Sequence, residues 1–95
     1  MKVIQHGYII VPPDQLVDIC CALETHIQET RSEVGCLVFD VKARKSEKNI
    51  FDVYEEFIDE AAFKFHQQRM KKSAWGQVSS AFERHYTLQY ESEDD

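Results

Sequence analysis

The sequence predicts a small α+β domain in which one antiparallel four-stranded sheet carries helices on a single face. Three observations predict it. Four stretches show the β-branched, aromatic and alternating residues of strands, two longer stretches repeat every three to four residues as helices do, and they run strand-helix-strand-strand-helix-strand. That order is the split β-α-β, ferredoxin-like arrangement.

Val3 to Val11 is rich in β-branched and aromatic residues and stops at Pro12-Pro13, which cannot continue a ladder. From Asp14 the period changes. Leu16, Ile19, Cys20, Leu23 and Ile27 form an apolar stripe, with Asp18, Glu24, Gln28 and Glu29 elsewhere, so a helix is expected with His26 on its polar side. Gly35 is expected to end it in a left-handed conformation. Cys36 to Ala43 follows as a strand with Leu37, Phe39 and Val41 on one face, and Lys45 to Asn49 reads as a polar hairpin loop. In the third strand, Ile50 to Ile58, Phe51, Val53 and Phe57 share a face while Tyr54 and Glu56 point the other way. Asp59 suits the N-cap of a helix whose stripe is Ala62, Phe63, His66 and Met70. A second helical piece, Ser73 to Phe82, precedes a last strand, Arg84 to Tyr90.

The chain of 95 residues makes one domain, 1–91, followed by an acidic tail, 92–95. A hydrophobic fraction of 43% with 12% aromatics is that of a folded protein. So short a chain buries only about two-thirds of its unfolded surface. Large apolar side chains fall on both faces of the predicted sheet, so the face without helices is expected to pair two copies into a homodimer.

Several function classes are excluded. A net charge of −6 without a basic stripe argues against nucleic acid. Two short basic clusters, Lys42 to Lys45 and Arg69 to Lys72, read as solvated turns. No apolar run nears the roughly 20 residues of a membrane span, and Met1 to His6 lacks a signal-peptide apolar region, so a cytoplasmic protein is expected. Cys20, Cys21 and Cys36 show no C-x-x-C spacing; Cys20 reads as helix core and Cys36 as a strand residue. The four histidines show no metal-ligand spacing, and three scattered glycines cannot build a phosphate loop, so neither metal nor nucleotide cofactor is expected.

Three segments carry a family likeness: Glu33-Val34-Gly35-Cys36-Leu37-Val38-Phe39-Asp40-Val41, Phe51-Asp52-Val53-Tyr54-Glu55-Glu56-Phe57, and Asp59-Glu60-Ala61-Ala62-Phe63-Lys64-Phe65-His66. In this order and spacing they resemble the antibiotic biosynthesis monooxygenase family. The resemblance implies a dimeric α+β barrel and a cofactor-independent oxygenase acting on a reduced aromatic or quinol-like small molecule. Two departures stand out. The segment that follows the helical histidine in many members is displaced here to Ser73-Ala74-Trp75, and the tryptophan-histidine pair of the haem-degrading branch is absent. The branch that isomerises a phosphorylated signalling metabolite shares the strand at Gly35 to Val41 and a Phe-His pair, so it stays open beside a non-catalytic ligand-binding dimer.

His66 is the candidate catalytic base, because a neutral imidazole on a core-facing stripe can exchange a proton near neutral pH. The plain alternative is a core histidine bonded to a carbonyl or carboxylate. Trp75 is the candidate pocket wall, or simply core. Tyr54 and Glu56 share a face of the third strand, where Glu56 would orient His66 or else stay solvated. Phe39 and Phe63 line a pocket if one exists, and His6 joins it from the first strand.

Overall fold

The computed structural model describes residues 1–92, so Glu93 to Asp95 of the expected acidic tail lie outside the described residues. β1 (Lys2–Ile10) is followed by a single 3-10 turn, α1 (Leu16–Arg31), β2 (Cys36–Ala43), β3 (Ile50–Phe57), α2 (Glu60–Lys72), α3 (Ala74–Ser79) and β4 (Glu83–Glu91). The strands lie in the order β2-β3-β1-β4, every neighbouring pair antiparallel. This is the α+β, ferredoxin-like sheet that the element order predicts.

Residue parity decides which side chains meet. β1 and β3 pair Val3 with Phe57, Gln5 with Glu55, Gly7 with Val53 and Ile9 with Phe51. Partners that face each other in an antiparallel ladder share a side of the sheet. Helix-facing residues therefore include Val53, Glu55 and Phe57, and the opposite side carries Ile4, His6, Tyr8, Tyr54 and Glu56. The core joins Ile9 and Val53 of the sheet and Val11 just after β1 to Ile19 and Leu23 of α1, Trp75 of α3 and Phe82 just before β4.

Asp59 caps α2 as predicted, its carboxylate accepting the Ala62 N–H at 2.8 Å. Ser73 ends α2 and starts α3: its Oγ donates to the Met70 carbonyl at 2.7 Å and accepts the Gly76 N–H at 3.1 Å. That shared residue turns the chain so that Trp75 packs inward, 5% exposed.

Several local expectations change. Gly35 does not adopt positive φ, since α1 ends at Arg31 with Ser32 still right-handed. What Gly35 supplies is room, because a Cβ there would stand 2.3 Å from the Ala62 Cβ. The left-handed glycine is Gly7, with φ +153°. A bulge between Cys36 and Val38 shifts the β2 register, which leaves Leu37 exposed while Phe39 stays buried. Cys20 is exposed rather than core, its thiol turned back on the Leu16 carbonyl at 3.1 Å. His26 is buried, not on a polar face, because the inward row of α1 is Ile19, Leu23, His26 and Thr30. The uncovered sheet face is less apolar than expected, carrying the Lys2–Glu56 and Arg44–Asp52 ion pairs at 3.0 and 2.9 Å.

Gly7 supplies a direct test of the β1–β4 pairing. A Cβ at this position would lie 1.8 Å from the His85 carbonyl oxygen. Gly7→Ala should therefore cost about 3 kcal/mol or more in a urea unfolding titration, as a clash at a positive-φ site demands.

Candidate active site

Between the helices and the inner face of the sheet lies a cavity of about 190 Å³. Its walls are largely apolar or aromatic: Phe39, Val41, Val53, Leu23, Met70 and Trp75. Polar groups reach it from separate elements: Gln5 on β1, His26 on α1, Glu55 on β3, His66 and Gln67 on α2, and Arg84 and Tyr86 on β4. An apolar chamber with a few converging polar groups is the usual form of a small-molecule site.

His66 is 1% exposed and sits one turn beyond Ala62 on the inward stripe of α2. Its Nδ1 lies 2.9 Å from Glu33 Oε1, in the turn between α1 and β2. A carboxylate can only accept, so this contact places the ring proton on Nδ1 and leaves the lone pair on Nε2. Nε2 in turn lies 4.0 Å from Glu55 Oε1. Burial holds the His66 pKa below its ordinary 6.5, and Glu33 opposes that shift. The imidazole is therefore neutral at pH 7, with its free nitrogen beside the cavity.

Glu33 is itself held. Arg69 Nε donates to its Oε2 at 2.8 Å, and Arg69 Nη2 donates to Thr30 Oγ1 at 3.0 Å. Thr30 then donates to the His26 carbonyl at 2.7 Å, which ties the row back into α1. Arg69 thus points inward from a cluster that reads as solvated in the sequence. A buried ion pair of this kind fixes geometry more than it adds stability.

His26 is 3% exposed, stacked on Trp75 at 6.0 Å and edge-on to Phe39 at 5.4 Å. Burial, followed by the charge of His66, lowers its pKa to about 3, so this ring is neutral too. Its Nδ1 has no hydrogen-bond partner among the described residues. Burial likewise raises the Tyr86 phenol on β4, against the lowering effect of Arg84.

Of the residues singled out in the sequence, His66, Trp75 and Phe39 come together at the cavity. Phe63 lies beside it, packing edge-on against Phe57 at 5.6 Å. His6, Tyr54 and Glu56 are placed on the opposite face of the sheet. There the His6 and Tyr54 rings stack 6.5 Å apart, and the Tyr54 hydroxyl donates to Glu56. Glu56 therefore does not orient His66; that position belongs to Glu33. The sequence reading missed Glu33, Glu55, His26 and Arg69. For Glu55 a signal was present, since it shares parity with Val53 and Phe57.

The profile of the family described as antibiotic biosynthesis monooxygenase matches residues 2–77. The chain belongs to that family. It is 30% identical over 66 residues, 70% of each chain, to a Bacillus subtilis (strain 168) protein named "Putative monooxygenase YcnE". Among solved structures, Rv0793 of Mycobacterium tuberculosis superposes with a TM-score of 0.77 at 16% identity, covering 99% of this chain and 98% of that one. PA3566 of Pseudomonas aeruginosa does so with a TM-score of 0.77 at 20% identity, covering 96% and 94%. At those identities the structural likeness shows the fold alone. Among the described residues of this family member, no helix is long and apolar enough to cross a membrane, and no group of three or more potential metal ligands occurs.

The Glu33–Arg69 pair is open to a double-mutant cycle. Arg69→Met leaves Glu33 buried with no cation and should cost about 3 kcal/mol in urea unfolding. Glu33→Gln with Arg69→Met should cost at least 1 kcal/mol less than the two single losses together, as expected for coupled neighbours.

Proposed function

We propose that this chain is a cofactor-independent monooxygenase acting on a small, largely apolar, enolisable or quinol-like molecule, with His66 as the base. The supporting observation is the arrangement of His66: Nδ1 is fixed by Glu33 and Nε2 is free at the wall of an apolar cavity. Such a base removes a proton from the bound substrate, and Glu33 steadies the imidazolium that results. The substrate anion then reduces dioxygen one electron at a time. One oxygen atom enters the substrate, turning an enolisable methylene into a carbonyl or a quinol into a hydroxyquinone. In either case the two electrons and two protons that the substrate gives up turn the second oxygen atom into water, so no outside reductant is needed.

The cavity size suits one ring, since an engineered void of about 150 Å³ accommodates benzene. Isomerisation of a phosphorylated metabolite calls for several basic side chains around the ligand. The described lining has one, Arg84, which donates to the Ser79 carbonyl and Oγ at 2.6 and 2.7 Å. A packed interior with no cavity beside His66 would favour a non-catalytic dimer, and the chamber argues against that.

A homodimer accompanies this reading. Tyr86, Leu88 and Tyr90 of β4 pair with Gly7, Gln5 and Val3 and are 37%, 41% and 47% exposed. The open apolar row therefore lies at the β4 edge of the helix side rather than on the helix-free face expected from the sequence. A second copy would cover it. The exposed free thiols of Cys20 and Cys21 suit a reducing, cytoplasmic setting.

Oxygen uptake with a panel of reduced quinols tests the activity. Wild type should consume oxygen, and His66→Ala should lose at least about 100-fold in kcat/KM, the usual worth of a positioned base. Activity should fall as pH drops and Nε2 protonates, with that acid limb below pH 6.5 because burial depresses the His66 pKa. Glu33→Gln removes the group that raises this pKa and should move the limb lower still. No uptake with any quinol would sink the oxygenase reading, and uptake unchanged in His66→Ala would remove His66 from it.

A further inference from the structure

Glu55 is a buried carboxyl that the base mechanism leaves unused. It is 4% exposed, lines the cavity and projects from the middle of β3. Among the described residues its polar contacts are Gln5 Nε2 at 3.4 Å and His66 Nε2 at 4.0 Å. Neither is a cation, because His66 is held neutral with its lone pair toward Glu55. The nearby guanidinium of Arg69 is taken by Glu33, and that of Arg84 by Ser79 and Phe82. The remaining walls add no positive charge: β2 brings Phe39, α1 brings the neutral His26, and β4 brings the phenol of Tyr86. An ionised carboxylate with no cation at this depth is strongly disfavoured. Burial first, and the charge of Glu33 second, accordingly raise Glu55 to about 8.

A neutral carboxyl is a donor. Glu55 and His66 thus present an O–H and a lone pair, 4.0 Å apart, to the same space. That gap is too long for a direct hydrogen bond and right for one shared oxygen. An oxygen about 2.8 Å from each atom would see the two about 90° apart, within a hydroxyl's spread of donor and acceptor directions.

We propose that Glu55, as a neutral carboxyl, and His66 form a two-point site for a substrate hydroxyl, Glu55 donating to the oxygen and His66 Nε2 accepting its proton. The ligand class follows: a single-ring phenol or enol, in preference to an ether or hydrocarbon of the same shape. This rests on His66 as the base and adds what the cavity recognises. When the hydroxyl proton passes to Nε2, the Glu55 O–H stays on the oxyanion, so one carboxyl serves recognition and charge stabilisation alike.

Binding of one-ring fluorine probes, followed by ¹⁹F NMR, tests this without turnover. At pH 6.5 wild type should bind 4-fluorophenol at least tenfold more tightly than its isostere 4-fluorotoluene. Glu55→Gln, which keeps a neutral donor, should retain that preference, and Glu55→Leu should reduce it below threefold. A probe that only accepts, 4-fluorobenzaldehyde, should weaken at least tenfold in wild type from pH 6.5 to 9.5, as Glu55 ionises and its O–H is lost. Glu55→Gln should bind it equally at both pH values. A preference that survives in Glu55→Leu, aldehyde binding flat with pH in wild type, or no binding of 4-fluorophenol would each overturn the proposal. If Glu55→Leu does not fold, the aldehyde series still decides between wild type and Glu55→Gln. Oxygen plays no part, so a failed uptake assay and a failed binding assay are separate results.

Discussion

Glu33 and Glu55 both turn their carboxyls into the interior; of the two guanidiniums there among the described residues, Arg84 is bonded to Ser79, so Arg69 is the one placed to balance them. Glu33 takes Arg69 and the Nδ1 edge of His66, which leaves Glu55 across the ring without a cation. From that imbalance follow the tautomer of His66 and, with burial, the protonated state of Glu55; burial alone is the leading cause that keeps both imidazoles neutral. Exchanging Glu33 and Glu55 in this scheme would turn His66 round and point its proton into the cavity. The chemistry therefore depends on which carboxyl Arg69 reaches, and Arg69 is anchored by Thr30 on the first helix.

The fold serves this arrangement by bringing distant segments to one row. Gln5, Glu55 and Phe39 lie side by side across β1, β3 and β2. His66 descends from α2 above them, and Glu33 approaches from the turn before β2. Gly35 keeps that turn close by leaving room for Ala62. Ser73, capping one helix while ending another, turns Trp75 back over the same space. A chain of 95 residues has little interior to spare, yet it gives a cavity of about 190 Å³ to the space beside its buried acid and base.

Much of the fold was legible in the sequence, because strand alternation and helical spacing are strong, local signals. The element order, the Asp59 cap and the inward stripe through His66 all come from them. The site was harder to read. Glu55 and Glu56 are adjacent, and a carboxylate is ordinarily assigned to water, so Glu56 attracted the role while parity pointed to Glu55. His26 and Arg69 were hidden for a related reason: polar residues at helical positions read as solvated until their partners are known. Those partners lie far off in the chain, Arg69 being 36 residues from Glu33. The β2 bulge that exposes Leu37 left no mark that periodicity could detect.

The proposed chemistry depends on Glu55 keeping its proton in neutral solution. A pH titration of the glutamate side-chain carbons by ¹³C NMR measures that directly. One resonance, absent from Glu55→Gln, should titrate near pH 8. If every glutamate has lost its proton by pH 6, Glu55 is an ordinary anion and the arrangement described around His66 is wrong.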